Sequence, residues 1–366
     1  MFEKPNLAVR DNVMKKIGKH RLYRGDCLEV LKGIKTASID AIVTDPPYGL
    51  KYQGKKWDYD VPSTLIWREC LRVLKPGGHL LAFSGTRTQH RMASRIEKAG
   101  FELRDMLAWC YSGQSTPKSL DISKAIDRAA GAKRKVVGVN KNHRVGVNSR
   151  HVGTSNADIT APATKAARQW DGWGTGLKPC YEPISLARKP LEGSDTVISN
   201  IQKHGTGGLN IEGCRFHNKQ DSKAVNENGR WPTNLLLEDS SDVVDVFGSN
   251  ARFYYCAKPS KAERGVGNTH ETVKPIAVMR WLCKLITKRG GRVLDPFMGS
   301  GTTGIACTLE GFRFYGVERE KAYFKISRRR IKAAYLEHRK LSRTKHVRTK
   351  HVRTKHNRAK HNRRKK

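Results

Sequence analysis

The chain has 366 residues, 37% of them hydrophobic, and 71 lysines and arginines against 33 acids give a formal net charge of +38. That length can bury a full α/β core with one or two smaller lobes besides, and a charge so far from zero exceeds what solubility needs and implies a polyanionic partner. Mean hydropathy is −0.63, no apolar run approaches the roughly 18 residues of a membrane span, and the eight scattered cysteines contain no Cys-x-x-Cys pair, which argues against a zinc ribbon or a disulfide framework.

Leu22–Cys27 reads as a short strand ending in a turn, with a small helix over Leu28–Leu31. Ser38–Thr44 is the next strand, and its Ala41-Ile42-Val43 core suits a parallel strand buried on both faces. It stops at Asp45-Pro46-Pro47-Tyr48. Each proline lacks an N–H and fixes φ, so the chain beyond Asp45 is extended, rigid and unable to continue the sheet. A carboxylate, the Pro46 carbonyl and the Tyr48 ring are thereby held at a strand's C-terminal end, where open α/β sheets bind ligands. Helical spacing over Ser63–Leu74 ends at Pro76-Gly77-Gly78. His79–Phe83 is a strand, Arg87–Ala99 a helix closed by Gly100, and Phe101–Tyr111 another strand. This alternation predicts βαβ crossovers and a parallel core.

The pattern then dissolves. Residues 113–178 hold one predicted helix, Asp121–Ala130, and twelve lysines and arginines against four aspartates. Tyr181–Arg188 reads as a core strand. Residues 191–265 are again irregular, and two irregular insertions in a regular scaffold mark function-specific loops. Regularity resumes with a helix over Thr272–Thr287, a strand at Arg292–Asp295, a helix over Gly301–Leu309, a strand at Phe312–Val317 and a basic helix over Lys321–Leu336. From Thr344 the chain repeats every five residues. Such a period gives neither a helical nor a strand face, and 338–366 is expected to be a disordered basic tail. That tail holds 14 lysines and arginines and no acid, so subtracting it from +38 leaves +24 on the rest. The body is basic in its own right.

Asp295-Pro296-Phe297-Met298-Gly299-Ser300-Gly301-Thr302 is a strand, a glycine turn and a helix start. Gly299 and Gly301 let the backbone pass close to a ligand, and the helix start offers free N–H groups. Glu318 ends the next strand, about twenty residues on, where an acid can accept hydrogen bonds from ribose hydroxyls. This is the order of a nucleoside-binding half-site.

Together, Asp45-Pro-Pro-Tyr and Asp295-Pro-Phe-x-Gly-x-Gly resemble the amino-group DNA methyltransferases that use S-adenosylmethionine. The catalytic motif precedes the cofactor motif, as in the circularly permuted β-type subgroup. Thr269-His-Glu-Thr-Val-Lys274-Pro is similar to a segment of that subgroup, with Glu271 where proline is usual. Trp170–Pro190, His204–Cys214 and Arg230–Pro232 are similar to segments of phage and prophage orphan members. The resemblance implies a Rossmann-like methyltransferase sheet with helices on both faces: a catalytic half at 20–112, a basic insertion at 113–178, a core strand at 179–190, a target-recognition insertion at 191–265 and a cofactor half at 266–337. It implies catalytic roles for Asp45, Pro46, Pro47 and Tyr48. Asp26 and Cys27 would meet the cofactor's adenine, Phe297, Gly299 and Thr302 the methionine part, Lys274 its flank and Glu318 the ribose, with Asp295, Pro296 and Gly301 in the same cofactor site.

Members of the family that this chain resembles mostly methylate adenine N6 when Asp precedes Pro-Pro-Tyr and cytosine N4 when Ser does, so the resemblance implies adenine N6, with cytosine N4 as the alternative. A catalytically inactive DNA-binding protein on the same fold is the rival of a different class. Double-stranded DNA is the expected partner, with phosphate contacts from Lys133, Arg134, Lys135, Arg144 and Arg150. Trp170, Trp173 and Trp231 are expected to pack inside the lobes rather than stack on bases. No metal and no membrane partner is expected. Met1–His20 lacks the apolar stretch of a secretory leader, so a cytoplasmic location is expected. The recognition sequence, the oligomeric state and the existence of a cognate restriction nuclease stay open at this level.

Overall fold

The structure, a computed structural model, describes residues 13–51, 54, 56–111, 119–144, 154–193, 196–216, 229–237, 254–255, 261–270 and 272–341. The five-residue repeats and Glu271 lie outside the described residues. Two compact units emerge, one assembled from the chain up to Tyr111 and from Tyr181 onward, the other from Ser112–Cys180.

Strands β1 (Val13–Ile17), β2 (His20–Arg24), β3 (Ile39–Thr44), β4 (Leu74–Phe83) and β5 (Glu102–Cys110) precede the smaller unit, which contains β6 (Lys135–Arg144) and β7 (Thr154–Ala161). After it come β8 (Tyr181–Arg188), β9 (Leu235–Leu237), β10 (Tyr254–Tyr255), β11 (Arg292–Asp295) and β12 (Arg313–Glu318). The larger unit's ten strands form one sheet in the order β1-β2-β12-β11-β3-β4-β8-β5-β9-β10. From β2 to β4 every neighbour is parallel. Strand β8 runs antiparallel to both β4 and β5, a departure from the all-parallel core expected.

β3 is buried along its whole length. Its alternate side chains serve two layers, as strand geometry requires. Ala41 and Val43 join the core of helix Ile276–Ile286, while Ile42 joins that of Trp67 and Cys70 in helix Thr64–Val73. Helices thus cover both faces of the sheet, the Rossmann-like arrangement.

Pro76-Gly77-Gly78, expected as a stop, lies within β4. Pairing jumps from Ile39↔Leu74 to Ala41↔His79, so the stretch forms a bulge. Gly77 takes φ +72°, and a Cβ there would meet the amide of Asn200, which donates to the Pro76 carbonyl. The region read as irregular after β8 contains helices Val197–His204 and Ile211–Cys214. The basic helix runs on to residue 341.

The smaller unit pairs β6 and β7 as an antiparallel ladder, which periodicity did not predict, beside helices Ile122–Ala129 and Lys165–Gln169. Its centre is polar. Asp127, 1% exposed, accepts from Arg134 Nη1 (2.8 Å), Thr164 Oγ1 (2.8 Å) and the amides of Ala163 (2.9 Å) and Thr164 (3.0 Å). Arg134 also donates to Ser123 Oγ, Thr160 Oγ1 and the Thr160 carbonyl. The expected phosphate contact from Arg134 is therefore corrected: its guanidinium is a strut inside the unit. Its neighbours Lys133 and Lys135 are exposed, because adjacent side chains of an extended chain point opposite ways. The Arg144 side chain and Arg150 lie outside the described residues.

The tryptophan expectation is also corrected. Trp170, Trp173 and Trp231 are 42%, 60% and 62% exposed. Trp170 and Trp173 meet edge to face with centroids 5.2 Å apart, and Arg215 lies 5.3 Å over the Trp231 ring.

Candidate active site

β11 and β3 lie side by side, with Val293 opposite Ala41 and Leu294 opposite Ile42. From β11 the chain winds through helix Thr302–Glu310 to β12 on one side. From β3 it winds through helix Thr64–Val73 to β4 on the other. The winding direction reverses between them, and at such a point the loops part and leave a crevice beyond the strands' C-terminal ends. Asp45–Tyr48 forms one lip and Asp295–Gly301 the other.

A buried bond ties the lips together. Thr44 Oγ1 donates to Asp295 Oδ1 at 2.7 Å across 251 residues of sequence. The same oxygen accepts the Phe297 amide (3.1 Å), and Oδ2 accepts Thr303 Oγ1 (2.6 Å). Burial pushes the Asp295 carboxyl up to about 6, against these three donors. Asp295 is 2% exposed, so it braces the crevice from below. Asp58 does the same for the first lip: Oδ1 accepts the amides of Tyr48 (2.7 Å) and Gly49 (2.9 Å), and Oδ2 that of Leu50 (3.2 Å).

Pro46 is buried and Asp45 half-buried. Asp45 Oδ2 receives the Lys274 ammonium at 2.6 Å, and Oδ1 the Tyr48 hydroxyl at 2.9 Å. Glu182 is the residue that periodicity missed. Its Oε2 lies 2.9 Å from the Tyr48 hydroxyl and 3.2 Å from Lys274 Nζ. Glu182 reaches this end of the sheet because β8 is reversed, so its first residues lie where the parallel strands finish. The Lys274 ammonium also sits 5.4 Å over the Tyr48 ring and 4.9 Å over that of Phe83. Burial works against the ammonium, but Asp45 and Glu182 outweigh it and hold the lysine above its ordinary value. Burial, then the two carboxylates, push the Tyr48 hydroxyl well above the usual tyrosine range.

On the other lip Gly299 and Gly301 take φ +48° and +86°, and a Cβ on Gly299 would come within 2.8 Å of His270 Nε2. Burial lowers His270 to about 4, so the ring is neutral at pH 7. Arg330, buried under the turn, donates to the Ser300 carbonyl (2.7 Å) and hydroxyl (2.9 Å). Thr302 is buried beside it, and Phe297 packs edge to face on Trp67 at 6.3 Å. Glu318 Oε2 accepts the Gly299 amide (3.0 Å) and Oε1 that of Glu320 (2.7 Å). Its carbonyl accepts the Gly25 amide (3.1 Å), which brings Asp26 and Cys27 to the same lip. Asp26 Oδ1 caps helix Cys27–Lys32 through the Leu28 amide at 2.9 Å, and Cys27 is buried.

A family described as DNA methylase matches residues 39–329, a span that includes both lips. The chain belongs to the DNA methylase family. Among similar proteins, the type II methyltransferase M.HindIII of Haemophilus influenzae is 24% identical over 354 residues, covering 85% of this chain and 94% of the relative. The type II methyltransferase M.BglI of Bacillus subtilis is 24% identical over 343 residues, covering 88% of each. The crystal structure of an M1.HpyAVI–SAM complex aligns with a TM-score of 0.44 at 20% identity, covering 85% of this chain and 98% of that one.

The cofactor of this family of DNA methylases is S-adenosylmethionine, and the second lip suits it chemically. Two glycines open the backbone where a Cβ would collide, a phenylalanine offers an apolar face, and Asp26 and Glu318 supply acceptors for amine and hydroxyl donors. Among the described residues no helix is long and apolar enough to cross a membrane.

Proposed function

We propose that this DNA methylase methylates the exocyclic N6 of adenine in double-stranded DNA, on a base rotated out of the helix, and that it is a β-type, circularly permuted member. The observation that carries the reading is the carboxylate of Asp45, set before two prolines at the mouth of a crevice whose other lip is the glycine turn. An exocyclic amino nitrogen is a poor nucleophile because its lone pair is delocalised into the ring. Asp45 and the Pro46 carbonyl are two acceptors in a rigid frame. By accepting the amino protons they hold the nitrogen toward tetrahedral geometry and free that lone pair. Tyr48 offers a ring face to the extruded base, whose target atom is unreachable inside the duplex. S-adenosylmethionine, when bound, supplies the electrophilic methyl group. What the protein contributes is positioning and electrostatic pre-organisation.

Phe297, Gly299, Gly301 and Thr302 hold the methionine part in this reading, Asp26 and Cys27 the adenine, and Glu318 the ribose. Lys274, paired with Asp45 and Glu182, is assigned to the catalytic lip. Burial raises the Glu318 carboxyl to about 7, and its two amide donors only partly oppose that. A protonated carboxyl accepts hydroxyl donors poorly. Affinity for S-adenosylmethionine should therefore weaken as pH falls through about 7, binding should release protons in that window, and Glu318→Gln should flatten the dependence. Calorimetric titration in buffers of different ionisation enthalpy measures both.

Phosphate contacts are assigned to Lys133, Lys135, Arg144 and Arg150 of the smaller unit. In the larger unit they are assigned to a groove lined by Arg24, Lys321, Lys325, Arg328, Arg329 and Lys332 over a floor of Val13 and Phe324. Arg24 ends β2, and Lys321 begins the helix after β12, so the groove opens at the same end of the sheet as the crevice.

Digesting methylated DNA to nucleosides and identifying the product by mass spectrometry tests the reaction. N6-methyl-2′-deoxyadenosine is expected. N4-methyl-2′-deoxycytidine would replace the adenine assignment, and no methylated nucleoside despite tight cofactor binding would favour the inactive DNA-binding protein.

A further inference from the structure

The Tyr48 hydroxyl carries one proton and faces two carboxylates. Asp45 Oδ1 and Glu182 Oε2 each lie 2.9 Å from it. A hydroxyl donates to one acceptor at a time, so the two acids compete for it. They also share the Lys274 ammonium, at 2.6 Å from Asp45 and 3.2 Å from Glu182. Every donor resting on Asp45 occupies a lone pair and draws charge from the oxygen that an amino group must use. A second acceptor at equal distance lets the phenol turn away without leaving its proton unpaired, which would be costly in so enclosed a site.

We infer that Glu182 is a positioning residue for methyl transfer: it takes the Tyr48 hydroxyl off Asp45 and thereby frees Oδ1 for the target amino group. This rests on the reading of Asp45 as the acceptor of the amino protons. No covalent step is involved, because the phenol keeps its proton and only the acceptor changes. The arrangement depends on the reversed strand. Ile184 pairs with Phe83, which sets Glu182 just past the end of β4 and level with the mouth.

Glu182→Gln is the informative variant. The amide keeps the shape of the side chain, but it is a weaker acceptor than a carboxylate and can donate to the phenol oxygen instead. The phenol then stays on Asp45. Single-turnover methyl transfer should fall about tenfold, the scale of one hydrogen bond to a charged acceptor, while affinities for S-adenosylmethionine and DNA hold. In a Tyr48→Phe background no hydroxyl remains to be moved, so adding Glu182→Gln should cost less than about threefold. An equal loss in both backgrounds, or no loss in either, would overturn the inference.

A measurement without turnover separates this from the assignment of the reaction. With tyrosine labelled at ¹³Cζ, the Tyr48 resonance of the cofactor-free full chain should lie between those of Asp45→Asn and Glu182→Gln, as for a hydroxyl exchanging between two acceptors. A wild-type resonance coincident with that of Glu182→Gln means a phenol fixed on Asp45 and refutes the inference, whereas one coincident with that of Asp45→Asn means that Glu182 already holds the hydroxyl and supports it. Failure of the wild-type chain to methylate DNA would instead refute the proposed reaction and leave the resonance to decide the hydrogen bond.

Discussion

Replacing Asp45 with alanine should lower methyl transfer by roughly 10²-fold or more, the scale of losing a pre-organised group that acts on developing charge, while S-adenosylmethionine still binds. The fold should tolerate the change. Lys274 keeps Glu182 at 3.2 Å, so no buried ammonium is stranded, and the Tyr48 hydroxyl keeps the same partner at 2.9 Å. Among the described residues, Gly299, Glu318 and Asp26 of the second lip make no hydrogen bond to the Asp45 side chain. Single-turnover assays on duplex DNA, paired with a calorimetric titration of the cofactor, separate the two effects. Near-normal turnover would remove Asp45 from the mechanism, and lost cofactor binding would mean that the lips are not independent.

Asp295→Ala should act in the opposite way, through stability. It strands two buried donors, the Thr44 and Thr303 hydroxyls, and the part-buried Phe297 amide. Each buried donor left without a partner costs about 1–3 kcal/mol, so a loss of about 3 kcal/mol or more is expected. The thermal midpoint should then fall by roughly 5–10 °C. Asp295→Asn should be milder, because its carbonyl can still serve Thr44 and Phe297 while its amide meets the Thr303 hydroxyl. Thermal unfolding of the two variants side by side checks the order. Equal midpoints for wild type and alanine would mean that the brace carries no load.

The two lips were legible in sequence because each is a short buried strand ending in Asp-Pro, a local signal with one structural meaning. What escaped had no local signal. Pro76-Gly77-Gly78 has the composition of a stop, and only the positions of its neighbours make it a bulge. Asp58 and Glu182 belong to no motif. Their partners follow from where a loop folds back and from the direction in which β8 runs, neither of which periodicity encodes. Lys133-Arg134-Lys135 reads as one basic cluster, and only the buried Asp127 singles out its middle member. The exposed tryptophans show the same limit, since an indole's residue type does not say whether packing or solvent meets it.

The smaller unit departs from the sheet after β5 and returns at β8, where Cys110 and Tyr181 are direct partners in an antiparallel ladder. Exit and re-entry are therefore one inter-strand spacing apart, as at the tip of a hairpin. A tight turn could close that gap with no change to the registers of the remaining strands. Whatever is spliced in there, large or small, inherits a fixed mooring beside a chemistry that does not have to be reinvented.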